Sequence, residues 1–375
     1  MKLPIYLDYA ATTPVDERVL EEMLPYFNQN FGNSASRYHA FGWLADDAVQ
    51  VSMERISKAI NCKNSDIIFT SGATEAINLA IKGFFEANPD KTHFITVCTE
   101  HKATLDTLKN IKKKGIKTSV IGVNSEGEIN IDELEKAICP ETGLISLLWV
   151  NNETGVIHPL EKIVAIAKMN KIVVHVDGTQ AIGKVAVNFQ NLGIDLLSFS
   201  AHKFYGPKGI GVLIRNKEVK IESQIVGGGH QKNLRSGTLN IPGIVGLGKA
   251  IEISIENIEN EQIRINKISN YFENELLMHF PFCRINAPNV SKVPHIQNVC
   301  FNGYDGQELL NRFSNLAISN GSACNSASTF PSHVLTAMGL SDDDAFSSLR
   351  FSFGKFTSSE EISKCLEHLE IKTKF

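Results

Sequence analysis

The stretch Ile194–Leu213, IDLLSFSAHKFYGPKGIGVL, sets Lys203 just past a short apolar run. Desolvation at such a place lowers an amine's pKa, and the neutral amine is the nucleophile that forms a Schiff base with an aldehyde. A surface lysine beside the Gly206–Gly209 turn is the plainer reading of these residues alone. Other reactive side chains recur in the same setting, each just past an apolar run. Thr74 follows DIIFT, His101 follows HFITVC, Asn152 follows GLISLLWV, and Asp177 and Gln180 follow KIVVHV; Ser200 and His202 accompany Lys203. Taken singly, such a histidine is ordinarily structural, and Thr74 or Ser71 ordinarily a helix cap. Their recurrence at one kind of position outweighs the single readings.

The apolar runs alternate with amphipathic helical patterns for about 150 residues, the pattern of a mostly parallel sheet with helices on both faces. In such α/β sheets ligands bind outside the carboxyl ends of the strands, which is where these side chains fall. Asp66–Thr70, the Ser71-Gly72-Ala73-Thr74 turn and the helical pattern after it form a strand, turn and helix N-terminus. That arrangement offers free backbone N–H groups to a phosphate. The chain is expected to be an α/β protein with a large domain over residues 15–258. Residues 1–14 and 259–375 are expected to form a smaller α+β domain, reached through a long helical connection over Ile241–Leu277. Within it, ISNGSACNSASTFP (residues 318–331) has almost nothing to bury and is predicted to be mobile. Cysteine is usually buried, so Cys324 in the middle of such a tract points to chemistry.

Composition narrows the ligands. The 375 residues are 43% hydrophobic and 21% charged, with a formal charge of −4, which gives no electrostatic reason to expect nucleic acid or an anionic membrane as main ligand. The seven cysteines show no metal-type spacing, and their odd number argues for reduced thiols in a cytosol. MKLPIYLDYA has no apolar h-region, and no apolar run approaches the ~20 residues of a membrane span, so a cytoplasmic protein is expected.

Pyridoxal 5'-phosphate needs services that the strand-end set can provide. Lys203 offers the amine for its aldehyde and Asp177 a carboxylate for its pyridine nitrogen. Ala73, Thr74, Ser200, His202 and Thr238 offer donors for its phosphate. His101 offers a flat face for the ring, Gln180 a donor for the ring hydroxyl, and Arg350 a fork for a substrate carboxylate. Cys324 would be the nucleophile.

The motifs carrying these residues resemble those of the NifS/IscS-type cysteine desulfurases, class-V aminotransferase-like enzymes of fold-type I. They are YLDYAATTP, FGNSAS, FTSGATEAINLAIKG, TEHKA, VNNETG, HVDGTQAIGK, SFSAHKFYGPKGIG, GGGHQKNLRSGT, NGSACNSAS and SSLRFSFGKFT, in family order from residue 5 to about residue 357. The resemblance implies a homodimer that converts L-cysteine to L-alanine and an enzyme persulfide on Cys324. The sulfur then passes to an acceptor protein, an iron–sulfur scaffold or a thiolation protein. By the same resemblance Lys203 is the Schiff-base lysine, His101 stacks on the ring and moves protons, and Asn152 and Arg350 hold the substrate. Ala73, Thr74, Asp177, Gln180, Ser200 and His202 hold the cofactor, and Thr238 reaches the phosphate of the other subunit. A selenocysteine lyase or an aminotransferase on the same fold is the alternative; transamination has no use for a loop thiol. The family usually has alanine at Gly178. The sequence ends at Phe375, where housekeeping members carry a further tail that contacts the scaffold, so that partner is an open expectation.

Overall fold

The computed structural model describes residues 3–320 and 330–373. Its largest element is a seven-stranded sheet. In chain order the strands are β1 (Ile67–Thr70), β2 (His93–Val97), β3 (Lys117–Ile121), β4 (Thr142–Leu148), β5 (Val173–Asp177), β6 (Leu196–Ser200) and β7 (Gly211–Arg215). Across the sheet they run β1-β7-β6-β5-β4-β2-β3. Strand β7 is antiparallel to both neighbours; the pairs from β6 to β3 are parallel. The reversal has a simple cause. Only residues 201–210 join β6 to β7, and a parallel crossover needs a dozen residues or more. Strand β1 therefore runs with β6, and its carboxyl end shares an edge with the other five.

The interior strands are buried on both faces, which is why they read as apolar runs and not as alternating ones. One polar ladder crosses them. The His175 imidazole on β5 bonds Ser146 Oγ on β4 and Ser198 Oγ on β6, each at 2.8 Å. Burial drives its pKa down to about 3, so the ring is neutral and ties three strands together without a charge.

The predicted helical connection over 241–277 is two helices, Ile241–Glu256 and Ile258–His279, broken at Asn257, whose φ of −113° and ψ of 10° are not helical. The first packs under the large sheet, against Ala40–Ile60. The second belongs to a separate apolar cluster with a three-stranded antiparallel sheet, β8 (Cys283–Ile285), β9 (Ile296–Phe301) and β10 (Ser348–Ser352). Leu7 from the N-terminal arm is buried in that second cluster. The arm continues to Ala10, buried in the first, and so spans the two cores.

Candidate active site

The carboxyl edge of the large sheet opens into a cavity of about 540 Å³. Asp177, Gln180, Ser200, His202 and Lys203 line it from the β5 and β6 side. Ala73 and Thr74 line it from the start of helix Ala73–Ala87, His101 and Asn152 from the ends of β2 and β4, and Arg350 from β10. Thr238 is exposed and does not line the cavity. Cys324 lies outside the described residues.

Register places the carboxylate. Asp177 is the last residue of β5, level with Leu148 of β4 and Ser198 of β6. Its Oδ1 accepts the Thr179 N–H at 2.9 Å, which pins the buried side chain at the cavity floor. Lys203 ends a single 3₁₀ turn, Ala201–Lys203, directly after β6. Its Nζ donates to the carbonyls of Ala10 at 2.7 Å and Ala11 at 2.8 Å, both on the N-terminal arm. The arm is clasped there from a second side, since Thr13 N–H donates to the His202 carbonyl at 2.9 Å. His202 Nδ1 lies 3.1 Å from Thr12 Oγ1; burial, then the Lys203 charge, bring this imidazole down to about 4, so it is neutral.

His101 caps helix Lys102–Lys112. Its Nδ1 accepts the Ala103 N–H at 3.1 Å, which commits that nitrogen as acceptor and leaves Nε2 to carry the exchangeable proton. Beneath it Glu100 is fully buried, and its Oε1 accepts the Leu148 N–H at 2.7 Å. Burial, with the Asp177 charge adding, pushes this carboxyl well above the usual carboxylate range. Arg350 is fully buried on β10. It donates to the Asn152 carbonyl at 2.8 Å and pairs with Asp8 Oδ1 at 2.7 Å.

The turn before helix Ala73–Ala87 fits a phosphate. Gly72 stands at the N-cap, and no side chain caps the first turn, so its N–H groups are available. The cradle is kept open by glycine on the facing strand: a Cβ at Gly211 would lie 2.6 Å from the Gly72 backbone. The one acidic residue of this turn, Glu75, is neutralised by Arg235 at 2.7 Å. An amine, a carboxylate, a donor amide and a phosphate cradle on one cavity wall are the donor set that pyridoxal phosphate requires. Among the described residues no cluster of side chains could hold a metal ion.

The aminotransferase class-V profile matches residues 5–365. The chain belongs to the class-V aminotransferase family. Its class-V relatives include a protein named cysteine desulfurase IscS from Neisseria meningitidis serogroup C. That protein is 47% identical over 99% of this chain and 93% of its own length. The IscS of Anaeromyxobacter dehalogenans is 43% identical over 96% of this chain and 90% of its own. Among solved structures, a NifS-like protein superposes with a TM-score of 0.92 at 37% identity, covering 98% of this chain and 99% of that one. A structure titled SspA in complex with cysteine superposes with a TM-score of 0.84 at 35% identity, over 94% and 99% of the two chains. The class-V fold seen here is the α/β fold expected from the sequence.

Four features of this class-V site escaped the sequence reading. The arm carbonyls of Ala10 and Ala11 have no side-chain signal. Asp8 is one acidic residue in a short apolar piece, and only its pairing with Arg350 gives it meaning. Glu100 reads as a charged turn residue until its burial is known. Lys184 stands seven residues after Asp177 in a stretch rich in small residues, and nothing local marks it as buried.

Proposed function

We infer that this chain is a pyridoxal phosphate-dependent cysteine desulfurase that converts L-cysteine to L-alanine and carries the sulfur as a persulfide on Cys324. The observation that carries the reading is the single cavity wall joining Lys203, Asp177, Gln180, His101 and an open helix N-terminus, with Arg350 facing in from the second sheet. When bound, pyridoxal phosphate supplies an electron sink beside the α-carbon of the amino acid. Lys203 would hold the cofactor through its aldehyde, and its amine is the group placed to carry a proton to and from that carbon. Asp177 keeps the pyridine nitrogen protonated by direct charge pairing. The N–H groups of Ala73 and Thr74, with Ser200 and His202, hold the phosphate, and Gln180 donates to the ring hydroxyl. Arg350 and Asn152 hold the substrate carboxylate. His101 covers one ring face and delivers a proton from Nε2.

The Cys324 thiolate attacks the sulfur of L-cysteine. A sulfur–sulfur bond forms and the carbon–sulfur bond breaks. Its electron pair stays with the substrate carbon, which takes a proton, so no outside oxidant or reductant is needed. The persulfide passes to an acceptor protein, an iron–sulfur scaffold or a thiolation protein.

The same reading includes a homodimer. Phe27, Phe31, Tyr38, Phe41, Trp43 and Leu44 are exposed within one short stretch of chain, an apolar surface of the kind that subunits cover. A two-fold partner would bring its Thr238 to the phosphate end of this cavity. It also includes the division into residues 15–258 and residues 1–14 with 259–375, supported by the apolar cluster that Leu7 forms with residues between Ile265 and Leu369, and a cytoplasmic location. Among the described residues no helix is long and apolar enough to cross a membrane.

Mass spectrometry after incubation with L-cysteine tests the reading. One additional sulfur is expected on the Cys324 peptide, and Cys324→Ser should release no sulfide while retaining the cofactor. Extra sulfur on another cysteine, or undiminished sulfide from the serine variant, overturns it.

A further inference from the structure

A second, smaller cavity of about 100 Å³ shares Lys203 with the first and is lined in part by Lys184. Lys184 is 7% exposed, and among the described residues it forms no ion pair. Enclosing an unpaired amine costs several kcal/mol, which a methionine of similar length would avoid. Among the described residues its head makes one hydrogen bond: Nζ donates to Gln180 Oε1 at 3.1 Å. Gln180 Nε2 donates in turn to the Ala10 carbonyl at 2.8 Å, the carbonyl that also accepts from Lys203 Nζ at 2.7 Å.

This chain of contacts settles the Gln180 amide by chemistry. The Ala10 carbonyl can only accept, so the Gln180 NH₂ group must face Ala10, and its oxygen is left facing the Lys184 head. One N–H is used at Ala10, and the other is left for the cavity that Gln180 lines. The same enclosure sets two amines against each other. Lys184 and Lys203 repel, and burial, with the Lys203 charge adding, brings Lys184 down to about 7.

We propose that Lys184 is a positioning residue for the cofactor end of the site: it fixes Gln180 as a donor toward the cavity, and its charge opposes a proton on the Lys203 nitrogen. The proposal rests on the cofactor assignment made above. Other charged and titratable groups face the pair. The strand-end loops contribute His202, Lys208 and Tyr205, and β5 contributes Asp177. The arm and the helix after it bring Tyr9, Asp16 and Arg18. The second core brings Glu261, Arg264, His295 and Lys355. Asp16 is engaged by Arg18 and Lys355, and Glu261 by Arg264, so neither carboxylate cancels the Lys184 charge.

The test is a pH titration of the visible absorbance of the cofactor-loaded protein, which follows the proton on the Lys203 nitrogen. Lys184→Met and Lys184→Gln both remove the charge, and each is expected to raise the midpoint by about one pH unit, because a like charge nearby has gone. Lys184→Gln keeps a polar head and carries the test should the methionine variant not fold. A midpoint unchanged from wild type in the folded variants overturns the proposal, and so does a rise confined to one of two folded variants. Failure of the underlying reading looks different: the wild type would show no such band, or Lys203→Ala would keep it.

Discussion

Replacing Glu100 by glutamine should change how stability depends on pH, with little change in the fold. The carboxyl is enclosed at the end of β2, with one oxygen on the Leu148 N–H at 2.7 Å; that bond and the Thr104 hydroxyl favour the ionised form, and burial outweighs both. Burial, then the Asp177 charge, raises its pKa well above the ordinary carboxylate range. The folded protein therefore keeps a proton that the unfolded chain gives up above a pH of about 4.3. The stability contributed by that proton is whole below this pH. It is lost at about 1.4 kcal/mol per pH unit as pH rises, until the folded-state carboxyl itself ionises. Glutamine has no such titration and keeps an oxygen for Leu148. Its extra N–H, if unsatisfied, adds a cost of about 1–3 kcal/mol that does not vary with pH. The slope is thus the readout, not the offset. Denaturant unfolding of both proteins, saturated with cofactor, at several pH values between about 4.5 and 6.5 should show the variant gaining on the wild type by about 1.4 kcal/mol per unit. A difference that is flat with pH would mean that Glu100 titrates alike folded and unfolded, and would refute the reasoning.

Asp177→Asn should fold and retain cofactor but slow turnover by about 10²-fold or more, since a neutral amide cannot hold the pyridine proton by charge; turnover near wild type in a folded variant contradicts the role. Arg350→Lys should raise KM for L-cysteine about tenfold or more with a smaller change in kcat, because an ammonium cannot grip a carboxylate with two parallel bonds; an unchanged KM removes Arg350 from the substrate. Sedimentation should find a dimer at assay concentration, and Phe41→Glu with Trp43→Glu should dissociate it; a fully active monomer would show that the exposed apolar surface has another purpose.

The alternation of apolar runs and helices, with reactive side chains just past the runs, was enough to place Lys203, Asp177, Gln180, His101 and Asn152 on one edge of one sheet. The reason is local: strand length, the turn after it and the helix that follows are set by short-range patterning, and in this class of fold the carboxyl ends must converge. The direction of β7 was also available in principle, from the short link of residues 201–210. The break at Asn257 was not, since helical propensity continues on both sides of it. What the tertiary structure alone decided are contacts between distant parts of the chain and the charge states that burial imposes. Ala10 and Ala11 meet Lys203 across more than 190 residues. Asp8 finds Arg350 because the arm crosses from one core to the other. Glu100 and Lys184 look like ordinary polar residues in the sequence and His202 like a simple donor, yet packing withdraws water from all three, raising the Glu100 carboxyl and lowering the His202 imidazole and the Lys184 amine. Residue type determines what a side chain can do; enclosure determines which protonation state it has when it does it.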